Sequence, residues 1–233
     1  DKANAKESVM LPLRFSLSEV NNIDNMLDFA TVLSGSFATE SRFKELASNA
    51  SLIHLSTHSA LYRNQPVIFF SNLYDAGNDG FLEAGEIASL NLSADLVVLS
   101  SCGSGLGTSS ANEGVVGFNK ALLEGGAKSV VSTLWEIDDK YTAAFMALFY
   151  HQLSVGVSKS EALRRAKDEF IKTIDANPYY WGAFVLYGSD NQMHIEKKNY
   201  VFIAMQYISL GFVFMFILLI YFRRLTRKKI TPL

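Results

Sequence analysis

Between residues 10 and 190, short apolar runs alternate with segments of helical periodicity. That pattern belongs to an α/β sheet covered by helices on both faces. Ser16–Leu27 has helical spacing, and Phe29–Leu33 is apolar enough for a short strand. Thr39 opens a helix to Ala47, with Phe43 and Leu46 on one side. Leu52–Ser56 and Val67–Ser71 are predicted strands. Asp95–Ser100 (DLVVLS) is a continuous apolar strand of the kind buried on both faces. Asn112–Glu124 is a helix stopped by Gly125-Gly126, and Lys128–Leu134 returns as a strand. Asp138–Val155 and Ser158–Ile174 form a helix pair broken at Gly156, with Ser158 as N-cap. Phe184–Tyr187 is a last strand. No internal repeat or low-complexity stretch is present.

The pattern changes at Tyr200–Phe222, YVFIAMQYISLGFVFMFILLIYF, which is apolar on every helical face apart from Gln206, Ser209 and Gly211. A helix of this length crosses a hydrocarbon core of about 30 Å with some tilt. Tyr200 and Tyr221 stand near its ends, where aromatic residues favour headgroups. The predicted organisation is therefore a linker from a missing N-terminal region (1–9), a domain (10–190), a polar linker (191–199), a transmembrane helix (200–222) and a basic tail (223–233). Arg223, Arg224, Arg227, Lys228 and Lys229 outnumber Lys197 and Lys198 across the span. The larger positive cluster places the tail in the cytoplasm and the domain outside it.

Composition narrows the function classes. The 233 residues hold 21 Lys and Arg against 23 Asp and Glu, a net charge of −2. No basic stripe argues for a nucleic-acid partner. The chain opens on Asp1, and Asp1–Ser8 is polar with no signal core, so it reads as a processed product or an excised C-terminal piece. Its one cysteine, Cys102, excludes an intrachain disulfide.

Two predicted strands finish alike. SLIHLS runs into Thr57-His58, and DLVVLS runs into Ser101-Cys102. Reacting groups gather beyond the carboxyl ends of parallel strands. If the two strands are neighbours, an imidazole base and a thiol meet at one sheet edge, as a cysteine nucleophile requires. Gly103-Ser104-Gly105-Leu106-Gly107 follows, where glycines let backbone N–H groups approach a substrate carbonyl. The amides of Ser59 and Cys102 are the oxyanion-hole candidates. The plainer alternative is a buried small cysteine followed by a loop.

LIHLSTHSA, ADLVVLSSCGSGLG, NEGVVGFNKALLEGGAKSVVSTLWEIDD and YYWGAFVLYGS, in this order and spacing, resemble the CHAT domain family over roughly Leu11–Ser189. That family is caspase-like, in a clan with separases, gingipains and metacaspases, and often follows tetratricopeptide repeats. The resemblance implies a caspase-like three-layer α/β/α sandwich around a mostly parallel sheet, with His58 as general base and Cys102 as nucleophile. It implies a protein or peptide substrate, and an N-terminal repeat region or an activating partner. One position departs from the pattern: Ser59 stands where caspase-like enzymes usually have Gly. Its N–H can still donate, while its side chain crowds the hole.

Ser132–Asp139 (STLWEIDD) leaves the strand that, by the resemblance, lines the pocket for the residue before the scissile bond. Trp135 becomes a wall there, and Glu136, Asp138 or Asp139 faces a basic side chain. The competing reading has Asp138 and Asp139 capping the next helix. His54, four residues before the base, has a packing or orienting role. His151 and His194 have no metal-like partner set.

Asp75 to Glu86 (DAGNDGFLEAGE) matches an EF-hand loop at Asp75, Asp79, Gly80 and Glu86 but offers Gly77 at the third position. Calcium on Asp75, Asp79 and Glu86 is thus weighed against a turn entering a short helix over Glu83–Leu90. No other cofactor or metal is expected. The functional reading is a membrane-anchored cysteine endopeptidase. Its rival is a catalytically silent, peptidase-shaped interaction module; an acyltransferase or hydrolase using the same dyad is the third.

Overall fold

The computed structural model describes residues 13–28, 30–62, 65–75, 77–100, 111–195 and 200–227. The chain runs α1 (Ser16–Met26), a 3-10 turn (Gly35–Phe37), α2 (Glu40–Ala47), β1 (Leu52–Leu55), β2 (Ser59–Tyr62), β3 (Gln65–Phe69) and β4 (Phe81–Glu83). It continues with α3 (Ala84–Ala88), β5 (Leu96–Leu99), α4 (Ala111–Glu124), β6 (Ser129–Thr133), α5 (Asp139–Ser154), α6 (Lys159–Thr173), α7 (Pro178–Trp181), β7 (Phe184–Gly188) and α8 (Tyr200–Arg227). It divides into two compact units, Asp1–Glu196 and Lys197–Leu233.

In the first unit, strands β1, β5, β6 and β7 form one sheet in that order. β1, β5 and β6 are parallel, and β7 is antiparallel to β6. The apolar runs explain the two central strands: Leu96, Val97, Val98, Val130 and Val131 are all fully buried, each contributing about 1.5–3 kcal/mol. Alternate side chains feed two separate cores. Ile53, Leu55, Val97, Leu99 and Val130 pack with α2, α3 and α4, while Leu96, Val98 and Val131 pack with α1, α5 and α6. The result is a mixed α/β fold with helices on both faces of a mostly parallel sheet.

Caps set the helix starts. Thr39 accepts from the Arg42 N–H, Asp138 from Lys140 and Ser158 from Glu161. α4 ends on Gly125-Gly126 because backbone crowds both positions. A Cβ on Gly125 would lie 2.3 Å from the Ile87 carbonyl oxygen, and one on Gly126, at φ +108°, 2.2 Å from that of Leu92.

Two sequence expectations need correction. Of the strand expected at Phe29–Leu33, Phe29 lies outside the described residues and residues 30–33 form no strand; the chain enters the 3-10 turn at an extended Ser34 with no ladder partner among the described residues. The strand placed at Val67–Ser71 is β3, two residues earlier, because its register is set by pairing with β2 and β4. β2 and β4 themselves had not been anticipated. With β3 they make a separate antiparallel sheet.

The second unit contains α8, an unbroken helix of 28 residues. Its side chains are described at Met205 and from Ile208 to Tyr221, and every one is exposed. Among the described residues no helix is long and apolar enough to cross a membrane.

Candidate active site

The site is built from the end of β1. This strand lies beside β5, parallel, with Leu52 opposite Leu96, His54 opposite Val98 and Leu55 opposite Leu99. The condition attached to the two strand ends, that they be neighbours, is met. Ser100 continues the pairing by donating its N–H to the Leu55 carbonyl at 3.1 Å. Cys102, the nucleophile expected from the sequence, lies outside the described residues, as do Gly103, Gly105 and Gly107.

His58 follows β1 and precedes the β2–β3 hairpin. Its carbonyl accepts from the Phe69 N–H at 3.0 Å, and the Thr57 hydroxyl donates to the Phe69 carbonyl at 2.8 Å. Both bonds fasten the turn that carries His58 to β3. Ser59 is the first residue of β2, opposite Ile68, and is buried. The His58–Phe69 bond makes Ser59 and Ile68 a non-hydrogen-bonded pair, so the Ser59 N–H points away from β3. Gly117 of α4 meets the same hairpin: a Cβ there would stand 2.9 Å from Pro66 Cγ of β3.

Behind the turn is a buried polar chain. His54 Nε2 lies 2.8 Å from Glu19 Oε1 of α1, and Nδ1 lies 3.0 Å from the Tyr150 hydroxyl of α5. A carboxylate only accepts, so Nε2 carries the proton and, in the neutral ring, Nδ1 accepts from the phenol. Burial, aided by the Glu19 charge, pushes the Tyr150 phenol well above its ordinary pKa and keeps it a donor. Ser56 adds a hydroxyl 3.4 Å from Glu19 Oε2. β1 is thereby pinned to two helices through His54, four residues before His58.

The remaining site candidates fall into two groups. Trp135 and Glu136 leave the end of β6, adjacent to β5. The Trp135 indole donates to the Tyr179 carbonyl at 2.8 Å, and the Tyr179 hydroxyl donates to the Glu136 carbonyl at 2.8 Å. This aromatic wall leaves the Glu136 carboxyl at the surface, its pKa raised by partial desolvation. Asp138 is the N-cap of α5, and Asp139 accepts the Phe15 N–H at 3.0 Å. Both carboxylates already have backbone partners.

The acidic loop is also internally committed. Asp75 accepts from the Ser41 N–H at 2.9 Å, and Asp79 from the Phe81 N–H at 3.0 Å. Glu86 accepts from the Glu83 N–H in a capping box. The Lys44 ammonium sits in their midst, 2.7 Å from the buried Glu40, 2.9 Å from Glu86 and 3.1 Å from the Asn78 side chain. Burial pulls its pKa down, but the bonds to Glu40 and Glu86 outweigh that and leave it raised. Among the described residues no group of three His, Cys, Asp or Glu side chains is placed to hold a metal ion.

Sequence reasoning missed Glu19, Tyr150 and Lys44, whose roles depend on partners 35 to 96 residues away or on a salt bridge across the loop. It also missed the hairpin, though a signal existed: Ser59–Tyr62 and Gln65–Phe69 are separated by two residues, one of them Asn64.

With both strand ends located, the comparison with known proteins becomes decisive. The CHAT domain family matches residues 1–189. The chain belongs to the CHAT domain family. Among curated relatives, it is similar to tetratricopeptide repeat protein 28 of Mus musculus, 33% identical over 115 residues, covering 48% of this chain and 5% of that protein. It is also similar to tetratricopeptide repeat protein 28 of Homo sapiens, 26% identical over 198 residues, covering 70% of this chain and 8% of that protein. This CHAT chain thus spans less than a tenth of the length of either relative, and both relatives are named for tetratricopeptide repeats.

Proposed function

We propose that this CHAT chain is a caspase-like cysteine endopeptidase domain, with His58 as general base and Cys102 as nucleophile. The observation that carries the reading is the parallel pairing of β1 with β5, Leu55 opposite Leu99. His58 and Cys102 each follow three residues after that pair in the sequence. The imidazole takes the thiol proton, the thiolate attacks the peptide carbonyl, and the resulting oxyanion draws on backbone N–H groups. What supports Ser59 as one donor is its orientation away from β3; Cys102 supplies the other. Trp135 and Glu136 line the pocket for the residue before the cleaved bond, with a basic side chain meeting Glu136. The test is labelling by a thiol-directed peptidyl warhead: wild-type protein is modified and the Cys102→Ala variant is not. An unlabelled wild type removes the assignment.

A second reading, a catalytically silent interaction module, is favoured by the buried Ser59. A hydroxymethyl group packs where the family pattern has no side chain. Warhead labelling separates the two.

The domain acts at a membrane, held by residues 200–222, under the control of a tetratricopeptide repeat region or a partner. Support comes from the apolar sequence and from the continuity of α8, whose 28 residues rise about 42 Å. The basic tail faces the cytoplasm and the domain lies outside it. Added protease digests the domain in intact cells if this orientation holds; full protection overturns it.

A further inference from the structure

We propose that Tyr179 is a positioning residue for the substrate pocket, aiming the Glu136 carboxyl by clasping the backbone of the segment that carries it. The inference rests on the pocket assignment made under the proposed function and adds to it a residue from a different element. The segment in question, residues 134–138, joins β6 to α5 and has no strand or helix of its own. The Leu134 N–H donates to the Ala183 carbonyl at 3.0 Å, one rung beyond the ladder of β6 with β7. Past that rung, Tyr179 of α7 holds the segment twice. The Trp135 indole donates to the Tyr179 carbonyl, and the Tyr179 hydroxyl donates to the Glu136 carbonyl, both at 2.8 Å. The Trp135 and Tyr179 rings lie 6.3 Å apart, tilted by 33°. Two bonds of opposite sense fix both the place and the rotation of the Glu136 peptide.

Tyr179 is itself firmly held. Asn177 accepts the Tyr179 N–H at 3.1 Å, and the ring of Pro178 fixes the first turn of α7. The Gly182 N–H donates to the Pro178 carbonyl at 2.8 Å. Only glycine fits there, because a Cβ would stand 2.6 Å from that same carbonyl oxygen. Beside Tyr179, the Tyr180 ring stacks on Tyr141 of α5 at 3.9 Å. The phenol is thus presented from a turn anchored at both ends.

Burial does not call for the hydroxyl. Tyr179 is 52% exposed, and a phenylalanine would cover the same apolar surface. What the oxygen adds is the bond to Glu136, 43 residues away in sequence. The Glu136 carboxyl is the group that needs holding. Desolvation alone raises its pKa, with no hydrogen bond or opposite charge among the described residues to offset it. A carboxylate in that condition gains from a cation brought to it, and the gain falls off with distance. A site of this kind works only when the backbone beneath the charged group is locked.

The test is a double-mutant cycle of Tyr179→Phe and Glu136→Gln on the full chain in detergent micelles. The probes are a peptidyl acyloxymethyl ketone ending in arginine and its leucine-ended counterpart, and the readout is the ratio of their labelling rates. Tyr179→Phe should lower that ratio by about fivefold, the loss of one hydrogen bond, through weaker half-saturation by the arginine probe and not a slower maximal rate. In the Glu136→Gln background the same substitution should change the ratio by less than about twofold, because the group it positions is gone. An unchanged ratio in Tyr179→Phe overturns the proposal, as does equal loss with both probes or a loss that persists beside Glu136→Gln. If neither probe labels the wild type, the peptidase reading has failed, and calorimetric binding of the arginine-ended peptide amide decides this inference separately. Binding about fivefold weaker in Tyr179→Phe than in wild type supports it; equal binding, or none to the wild type, overturns it.

Discussion

Leu55 and Leu99 are register partners on adjacent parallel strands, and the chain reaches His58 and Cys102 three residues beyond each. Equal spacing in sequence from a common rung is what supports the proposed dyad. Cys102→Ala is expected to abolish peptide turnover, and His58→Ala to lower kcat/KM by about 10²–10⁴. Melting temperatures of both variants should stay near wild type. Steady-state hydrolysis of a fluorogenic peptide measures this, and an active Cys102→Ala protein ends the nucleophile assignment.

The Glu19–His54–Tyr150 chain predicts a stability effect. Tyr150→Phe keeps the ring packing but leaves buried His54 Nδ1 without its hydroxyl partner, at a cost of about 1–3 kcal/mol. Urea unfolding should show a lower midpoint with unchanged slope. A midpoint equal to wild type would mean that the hydroxyl contributes nothing.

Lys44 is the internal cation of the acidic loop. Lys44→Met leaves the buried Glu40 carboxylate facing Glu86 without a counter-charge, an expected loss of about 1–3 kcal/mol, reduced from a fully buried pair because the ammonium is partly exposed. Millimolar calcium should leave the wild-type melting temperature unchanged, since the ammonium already satisfies these groups. A calcium-dependent rise would favour the loop as an ion site.

Asp75 gives a pH signature. The Ser41 hydroxyl and N–H hold its carboxyl below the ordinary 3.8. A depressed folded-state pKa contributes stability that is complete above the unfolded value and lost as pH falls through the folded one. Acid unfolding below about pH 4 should therefore be shallower in Asp75→Asn than in wild type. Identical acid limbs in circular dichroism titrations would contradict the assignment.

Glu136 bears on specificity. If its carboxyl receives the substrate's basic side chain, Glu136→Gln should reduce cleavage after Arg or Lys by about tenfold, roughly the loss of one charged partner. Cleavage after apolar residues should hardly change. A peptide-library profile with no basic preference in the wild type rejects the pocket assignment.

Much of the layer architecture was legible from local chemistry. Leu96–Leu99 could only be a strand buried on both faces, and Thr39, Asp138 and Ser158 marked helix starts through side-chain oxygens that bond the next turn's N–H groups. Periodicity and capping are short-range, so the sequence carries them in a few neighbouring residues. Strand ends with His58 and Cys102 were equally visible, because each motif is contiguous.

Pairing was not legible in that way. Only the tertiary structure decided that β1 lies beside β5, that the segment after His58 folds back as a hairpin, and that residues 30–34 have no strand partner among the described residues. It alone brought Glu19 and Tyr150 to His54, and Lys44 to Glu86. These relations are set by which backbone edges and buried polar groups find partners across long stretches of chain. The sequence determined which residues end the two strands; the fold determined that the strands are neighbours, because a parallel rung needs a partner strand that no local pattern names.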